Sequence, residues 1–470
     1  MSDILLLPEL SLVFGVLGLL LCEAGFFGAK HRLLVPISVL ALVAFLIQSM
    51  LFPLLGPSWL QVQFYTDWWG LSARVLLTLV AVCALLLEEP ALLRASRRAE
   101  YYVMILAVVI GGSLFIQARY GVVQWVSLNL LLLSVFWVIG YDKTSKFSSE
   151  SAFKFLLGSV LSSLLFLLFV VLTAGRSLSF FETRQQMALL VLWGASLSFL
   201  IGVVPLFWGF VDTVEGAPFG ARLLLWVGLP VVGVAVLIRG LFQFDINDQT
   251  NEFFRDGLVL VGLMSIAFGV MQGISQEKIR RILSGLRIAL SGVLILGVSR
   301  TSLVVPSAII SLHWVSSLSF MGLAVALDLF ERSQGAPARV VDLKGQFRLR
   351  STWSLLFVSL WASLVVAPPF LSGAQVALVM RRFIETGGVL VVTLWVALSV
   401  LLFIPVLRVA LEMGKRFSDP VKVSRITLLG HGVRGHGLVM LLVVGAGIMA
   451  IPLSNLIDAS GLAVLASLLR

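Results

Sequence analysis

Few side chains in this sequence could do chemistry in an apolar medium. His313 sits well inside an apolar run. Arg74, Arg239, Arg287, Asp328 and Arg408 each lie within about two turns of an expected helix end, where a long side chain reaches water or an opposite charge. Asp67 and Arg74, seven residues apart, share one helical face and could pair. Groups of this kind move protons or ions, although a lone histidine also serves as a hydrogen-bonded link between helices. No nucleophile–base pair or metal-ligand set accompanies them, so no catalytic or metal site is expected. Cys22 and Cys83 are too few for an iron–sulfur cluster, and the two histidines of HGVRGH (431–436) fall in a glycine-rich stretch. There is no glycine-rich dinucleotide fingerprint.

The elements that must position these groups are membrane helices. The chain has 470 residues, 59% hydrophobic and 12% charged, with a mean hydropathy of +1.05. That composition belongs to an all-α polytopic membrane protein. Apolar runs predict fourteen transmembrane helices, near 4–26, 33–52, 68–88, 101–117, 121–140, 152–174, 187–209, 219–243, 256–275, 282–299, 303–330, 353–379, 387–411 and 436–457. The chain begins MSDILLLPEL with no basic n-region, so its first apolar run is expected to be a retained helix. Loops after odd-numbered spans carry twenty-one Lys and Arg; even-numbered loops and the C-terminus carry eight. Positive charge collects on the cytoplasmic side, so both termini are expected on the other. Topology and lipid headgroups thus account for the net charge of +10 without nucleic acid.

Two spans are expected to break. VVPLFWGFVDTVEGAP (203–218) follows Gly202 and contains Pro205 and Gly209, and SLVVAPPFLSGAQVALVM (363–380) contains Pro368, Pro369 and Gly373. Proline removes a helix donor and clashes with the preceding turn. Irregular backbone at membrane depth survives only where protein or a cavity covers it. The breaks lie 163 residues apart, fourth in each of two consecutive five-helix blocks, spans 4–8 and 9–13. Five is odd, so the second block is inverted relative to the first, as in transporter folds. Two unrelated proline kinks are the plainer alternative. The expected divisions are an N-terminal three-helix segment (1–99), the first five-helix repeat (100–243), the second, inverted repeat (254–411), and a C-terminal loop and last helix (412–470).

Val204-Pro205, Trp208, Asp212 and the run Gly216-Ala217-Pro218 resemble the broken seventh helix of the antiporter-like membrane subunits of respiratory complex I, especially the subunit N family. Other pieces resemble that family in its own order: Asp67, Glu150 with Lys154 in SSESAFKFLLGS, Arg239, KIRRILSG (278–285), DLKG (342–345) and LRVAL (407–411). The resemblance covers nearly the whole chain. It implies a membrane-arm subunit of a complex I-type NADH:quinone oxidoreductase in a bacterial inner membrane, coupling distant redox chemistry to proton translocation. Such a subunit is not catalytic itself. Quinone, flavin and iron–sulfur clusters would belong to partner subunits, and its own partners would be other membrane-arm subunits and the lipid bilayer. Related subunits occur in multi-subunit sodium/proton antiporters and membrane-bound hydrogenases.

The resemblance also shows what is missing. The family carries a glutamate in helix 5 and lysines in helices 7, 8 and 12. Those positions fall here at Asn129, Leu200, Pro230 and, beside Gln375, Val376. Family histidines fall at Leu290 and Phe207. His313 is then the one mid-membrane titratable candidate, and Pro230 is expected to kink its helix. The expected function is a degenerate-channel subunit, chiefly structural and coupling. The alternatives are a pumping subunit with a divergent path, or a subunit of an unrelated ion or carbon transport complex.

Overall fold

The computed structural model describes residues 8–24, 33–55, 64–65, 67–88, 98–142, 145–173, 176–299, 306–349, 351–364, 373–385 and 388–415. Helix dominates; the β-pairing among these residues is two isolated bridges, Phe64 with Ala118 and Lys278 with Arg339. Eleven helices among them are long and apolar enough to cross a membrane. Fourteen were expected. Of the other three, the first has 16 described residues, the twelfth is described only over Ser351–Leu364 and Gly373–Glu385, and the fourteenth lies outside the described residues.

The chain divides into two units, Met1–Phe254 and Arg255–Arg470. The first holds α1 (Pro8–Glu23), α2 (Leu34–Leu55), α3 (Trp68–Leu87), α4 (Arg98–Gln117), α5 (Gly121–Ile139), α6 (Lys146–Thr173), α7 (Thr183–Ile201), α8 (Trp208–Gly216) and α9 (Phe219–Gln243). α9 is its core, buried along its whole span and packed by α3, α4 and α7. A π-helical turn over Leu224–Gly228 widens α9 just before Pro230. Pro230 has no N–H for the carbonyl of Trp226 and its ring presses on that turn, so a widened turn relieves the clash. The expected irregularity is there, as a bulge.

The second unit holds most of α10 (Asp248–Ser275), then α11 (Ile279–Ser299), α12 (Pro306–Gln334), α13 (Ser351–Leu364), α14 (Gly373–Glu385), α15 (Val389–Leu401) and α16 (Phe403–Gly414). α11 and α12 are buried throughout their apolar spans. α12 packs on α13 through a stack of rings: Phe330 lies 5.2 Å from Trp353, and Trp353 lies 4.8 Å from Phe357. α10 and α15–α16 leave much of their apolar surface exposed, with Leu260, Met271, Leu390 and Val400 among the outward side chains. Lipid tails are as apolar as these side chains, so such a face is ordinary in a bilayer.

Candidate functional site

The first break is built by three local devices. α7 stops because Gly202 takes the left-handed conformation (φ 73°), which a residue with Cβ adopts only at a cost. The N–H groups of Gly202 and Val203 both donate to the Ser198 carbonyl at 3.0 Å, closing the helix end. A cis Val204–Pro205 bond follows, and α8 restarts at Trp208. Pro205 and Trp208 are exposed, while Asp212 is half-buried within α8. Gly216 then brings α8 onto α6 so closely that a Cβ would strike the Phe147 carbonyl and Ser151 Oγ. Ala217 and Pro218 continue in extended backbone, and α9 begins at Phe219. In the second span expected to break, α13 is described to Leu364 and α14 from Gly373; Pro368 and Pro369 lie outside the described residues.

The positions where the family resemblance expects ionisable groups are filled by packing. Leu200 is fully buried, and Gly233 on α9 comes so near that its Cβ would stand 3.0 Å from the Leu200 Cβ. Pro230 is buried in α9, Val376 in α14 and Leu290 in α11, and Phe207 is half-buried at the break. Asn129 holds two helices together. Its Nδ2 donates to the Trp125 carbonyl at 2.8 Å, and Ser163 Oγ of α6 donates to its Oδ1 at 2.9 Å. Trp125 Nε1 also reaches Ser163 Oγ, at 3.1 Å. An amide in a closed network of this kind fastens α5 to α6 and carries no charge.

The charged groups arrange themselves otherwise than spacing suggested. Asp67 pairs with Arg239 across 172 positions of sequence, not with Arg74. Arg239 Nε donates to Oδ2 at 3.0 Å, and Nη2 donates to Oδ1 at 2.5 Å and Oδ2 at 2.6 Å. Arg74 is buried and donates from Nη1 to Ser49 Oγ at 3.3 Å. Tyr65 lies under two cations, with Arg119 and Arg239 stacked 4.5 and 4.8 Å from its ring centre. Burial nonetheless holds its hydroxyl above the ordinary value, outweighing the opposite pull of Arg119 and Arg239.

Two buried carboxylates were not singled out from sequence. Glu9 accepts hydrogen bonds from Ser113 Oγ at 2.6 Å and Gln117 Nε2 at 2.8 Å. Glu88, at the C-terminus of α3, accepts from Tyr101 Oη and from the Gly220 N–H, both at 2.7 Å. Glu9 directly follows Pro8 and Glu88 lies two residues before Pro90, where a proline draws attention to a helix end and away from the carboxylate. In the second unit Arg280 grips Glu331 with contacts of 2.7 to 3.1 Å, Arg332 pairs with Asp328 at 2.6 Å, and Arg408 donates to the carbonyls of Ile274 and Gln276. Arg287 is wholly buried and His313 nearly so, and neither has a hydrogen-bond partner among the described residues. No group of three or more potential metal ligands occurs among the described residues.

Known proteins resemble this chain in sequence and in fold. The family model described as "NADH:quinone oxidoreductase/Mrp antiporter, TM" matches residues 118–402. NADH-quinone oxidoreductase subunit N of Thiobacillus denitrificans is 26% identical over 324 residues, 66% of this chain and 65% of that protein. The subunit N of Laribacter hongkongensis is 24% identical over 469 residues, covering 92% of this chain and 95% of the relative. In Thermus thermophilus respiratory complex I with bound aureothin, one chain superposes with a TM-score of 0.74 at 19% identity, covering 96% of this chain and 98% of that one.

Proposed function

The chain belongs to the NADH:quinone oxidoreductase/Mrp antiporter membrane family, and from that premise we propose that it is a membrane-arm subunit of a complex I-type NADH:quinone oxidoreductase in a bacterial inner membrane. It carries no redox centre of its own in this reading: flavin, iron–sulfur clusters and quinone belong to partner subunits. In this reading both termini face away from the cytoplasm, which the concentration of Lys and Arg in the odd-numbered loops supports. Its role in this reading is structural and coupling, because Asn129, Leu200 and Pro230, where the family resemblance expects proton-carrying groups in the first unit, cannot ionise. The observation that carries this is Leu200. A lysine there would need water or a counter-charge, and the position instead holds a fully buried leucine packed against Gly233 of the proline-bearing α9.

Affinity purification of the tagged protein from its native membrane in mild detergent, with partners identified by mass spectrometry, tests the assignment. Recovery with hydrophilic iron–sulfur and flavin subunits supports it. Recovery with only antiporter-type membrane proteins moves the chain to the Mrp side of the family, the second reading that the family match itself favours. Recovery alone removes the oxidoreductase assignment.

A further inference from the structure

Within the second unit, the contact between α11 and α12 holds an excess of hydrogen-bond donors. Arg287, the ninth residue of α11, has 0% exposure, and its Nε, Nη1 and Nη2 meet no acceptor among the described residues. Its guanidinium carbon stands 5.5 Å from the centre of the Phe320 ring on α12. Ser317 and His313 lie three and seven residues before Phe320, on the same stripe of that helix. Ser317 Oγ, both ring nitrogens of His313 and the indole Nε1 of Trp314 are likewise buried without a partner among the described residues.

Arginine keeps its proton in proteins, so the charge on Arg287 persists and needs an answer. The face of Phe320 offsets a small part of it. The two carboxylates of α12 are committed elsewhere, Asp328 to Arg332 and Glu331 to Arg280 and the Ala338 N–H. Water can satisfy the donors, yet it leaves the charge uncompensated in a buried setting, which is the costly part. A cation is repelled. The donors that remain on this stripe, guanidinium, imidazole and one hydroxyl, are of the kind that surround a small anion.

We propose that Arg287, with His313 and Ser317, forms an internal binding site for one small monovalent anion of halide type between α11 and α12. The anion neutralises Arg287 and lets the centre of the second unit pack without an acidic side chain. This does not depend on which complex the chain joins.

The test is the melting temperature of the purified protein, with whatever subunits accompany it, in detergent and sodium gluconate as sodium chloride or bromide replaces gluconate at constant ionic strength. The melting temperature should rise by several degrees and saturate, as for a ligand bound to the folded state alone. Arg287→Gln should abolish that rise, and Arg287→Lys should keep it with a shifted midpoint. A bromide-soaked crystal should show an anomalous peak within hydrogen-bonding reach of the guanidinium. Should Arg287→Gln fail to fold, Arg287→Lys and the bromide peak decide the matter. Equal melting in gluconate and chloride, the same halide response in Arg287→Gln, or a map showing Arg287 bonded to a carboxylate or to water alone would overturn the proposal.

Discussion

Asp67 does two jobs with one carboxylate: it caps the first turn of α3, accepting from the Gly70 N–H at 2.7 Å, and it holds Arg239 near the end of α9. The Arg239 side chain is 5% exposed and that of Asp67 25%, so the pair is largely out of water. Removing one partner strands the other. Asp67→Ala and Arg239→Gln should each destabilise the first unit by about 2–4 kcal/mol, the alanine change also losing the cap. The double variant should cost clearly less than the sum. Thermal unfolding in detergent measures this, and strict additivity would show that the pair is not coupled.

Tyr65, between Arg119 and Arg239, should make stability fall in alkali. Its folded-state value is raised by burial, so the unfolded chain releases the phenolic proton first. The stability that neutral Tyr65 supplies is complete below about pH 10 and is lost as pH rises through the folded value. Tyr65→Phe should therefore melt with a shallower decline between about pH 9 and about pH 11 than the wild type. Parallel slopes would show that Tyr65 ionises as freely in the folded protein as in the unfolded one.

Gly216 fixes how closely α8 approaches α6. Gly216→Val should force the Phe147 carbonyl and Ser151 aside, costing about 1–3 kcal/mol by overpacking, and lower the amount of folded protein in the membrane. Gly414→Ala, at a position where an added Cβ meets nothing within 4 Å, serves as the control and should accumulate normally.

Leu200 distinguishes a closed route from a hidden one. Leu200→Met, a volume-conserving change, should leave proton translocation by the parent complex unaltered. Leu200→Lys should not raise it, and should reduce folded yield by burying an unpaired charge. A gain in proton translocation with Leu200→Lys would mean that the surrounding path is intact and only its lysine was lost.

What could be read from sequence followed from how local each cause is. The stop at Gly202, the interruption at Pro205 and the irregularity near Pro230 are backbone effects of the residues themselves, so the chain announces them. The membrane class followed from composition, since few charges interrupt the apolar runs. Pairing partners were another matter. Asp67 and Arg74 satisfy helical spacing, yet Arg239, 172 positions away, is brought opposite Asp67 by the packing of α9 on α3. Glu9 and Glu88 drew no notice because the groups that donate to them, on α4 and α9, are invisible in one dimension. Arg287 was expected near a helix end. α11 begins at Ile279, three residues earlier than its apolar run, and so carries Arg287 beyond the reach of water.

The two carboxylates that bracket α3 give that helix a property neither gives alone. Asp67 at its start holds Arg239, and Glu88 at its end holds the Gly220 N–H at the start of α9. The fastenings stand about 30 Å apart along the helices, close to the thickness of a bilayer core. Two antiparallel rods fastened at both ends resist sliding, because any slip must break an ion pair at one end and a hydrogen bond at the other. A displacement of either end of α3 therefore carries the facing end of α9 with it, so the pair moves as one strut.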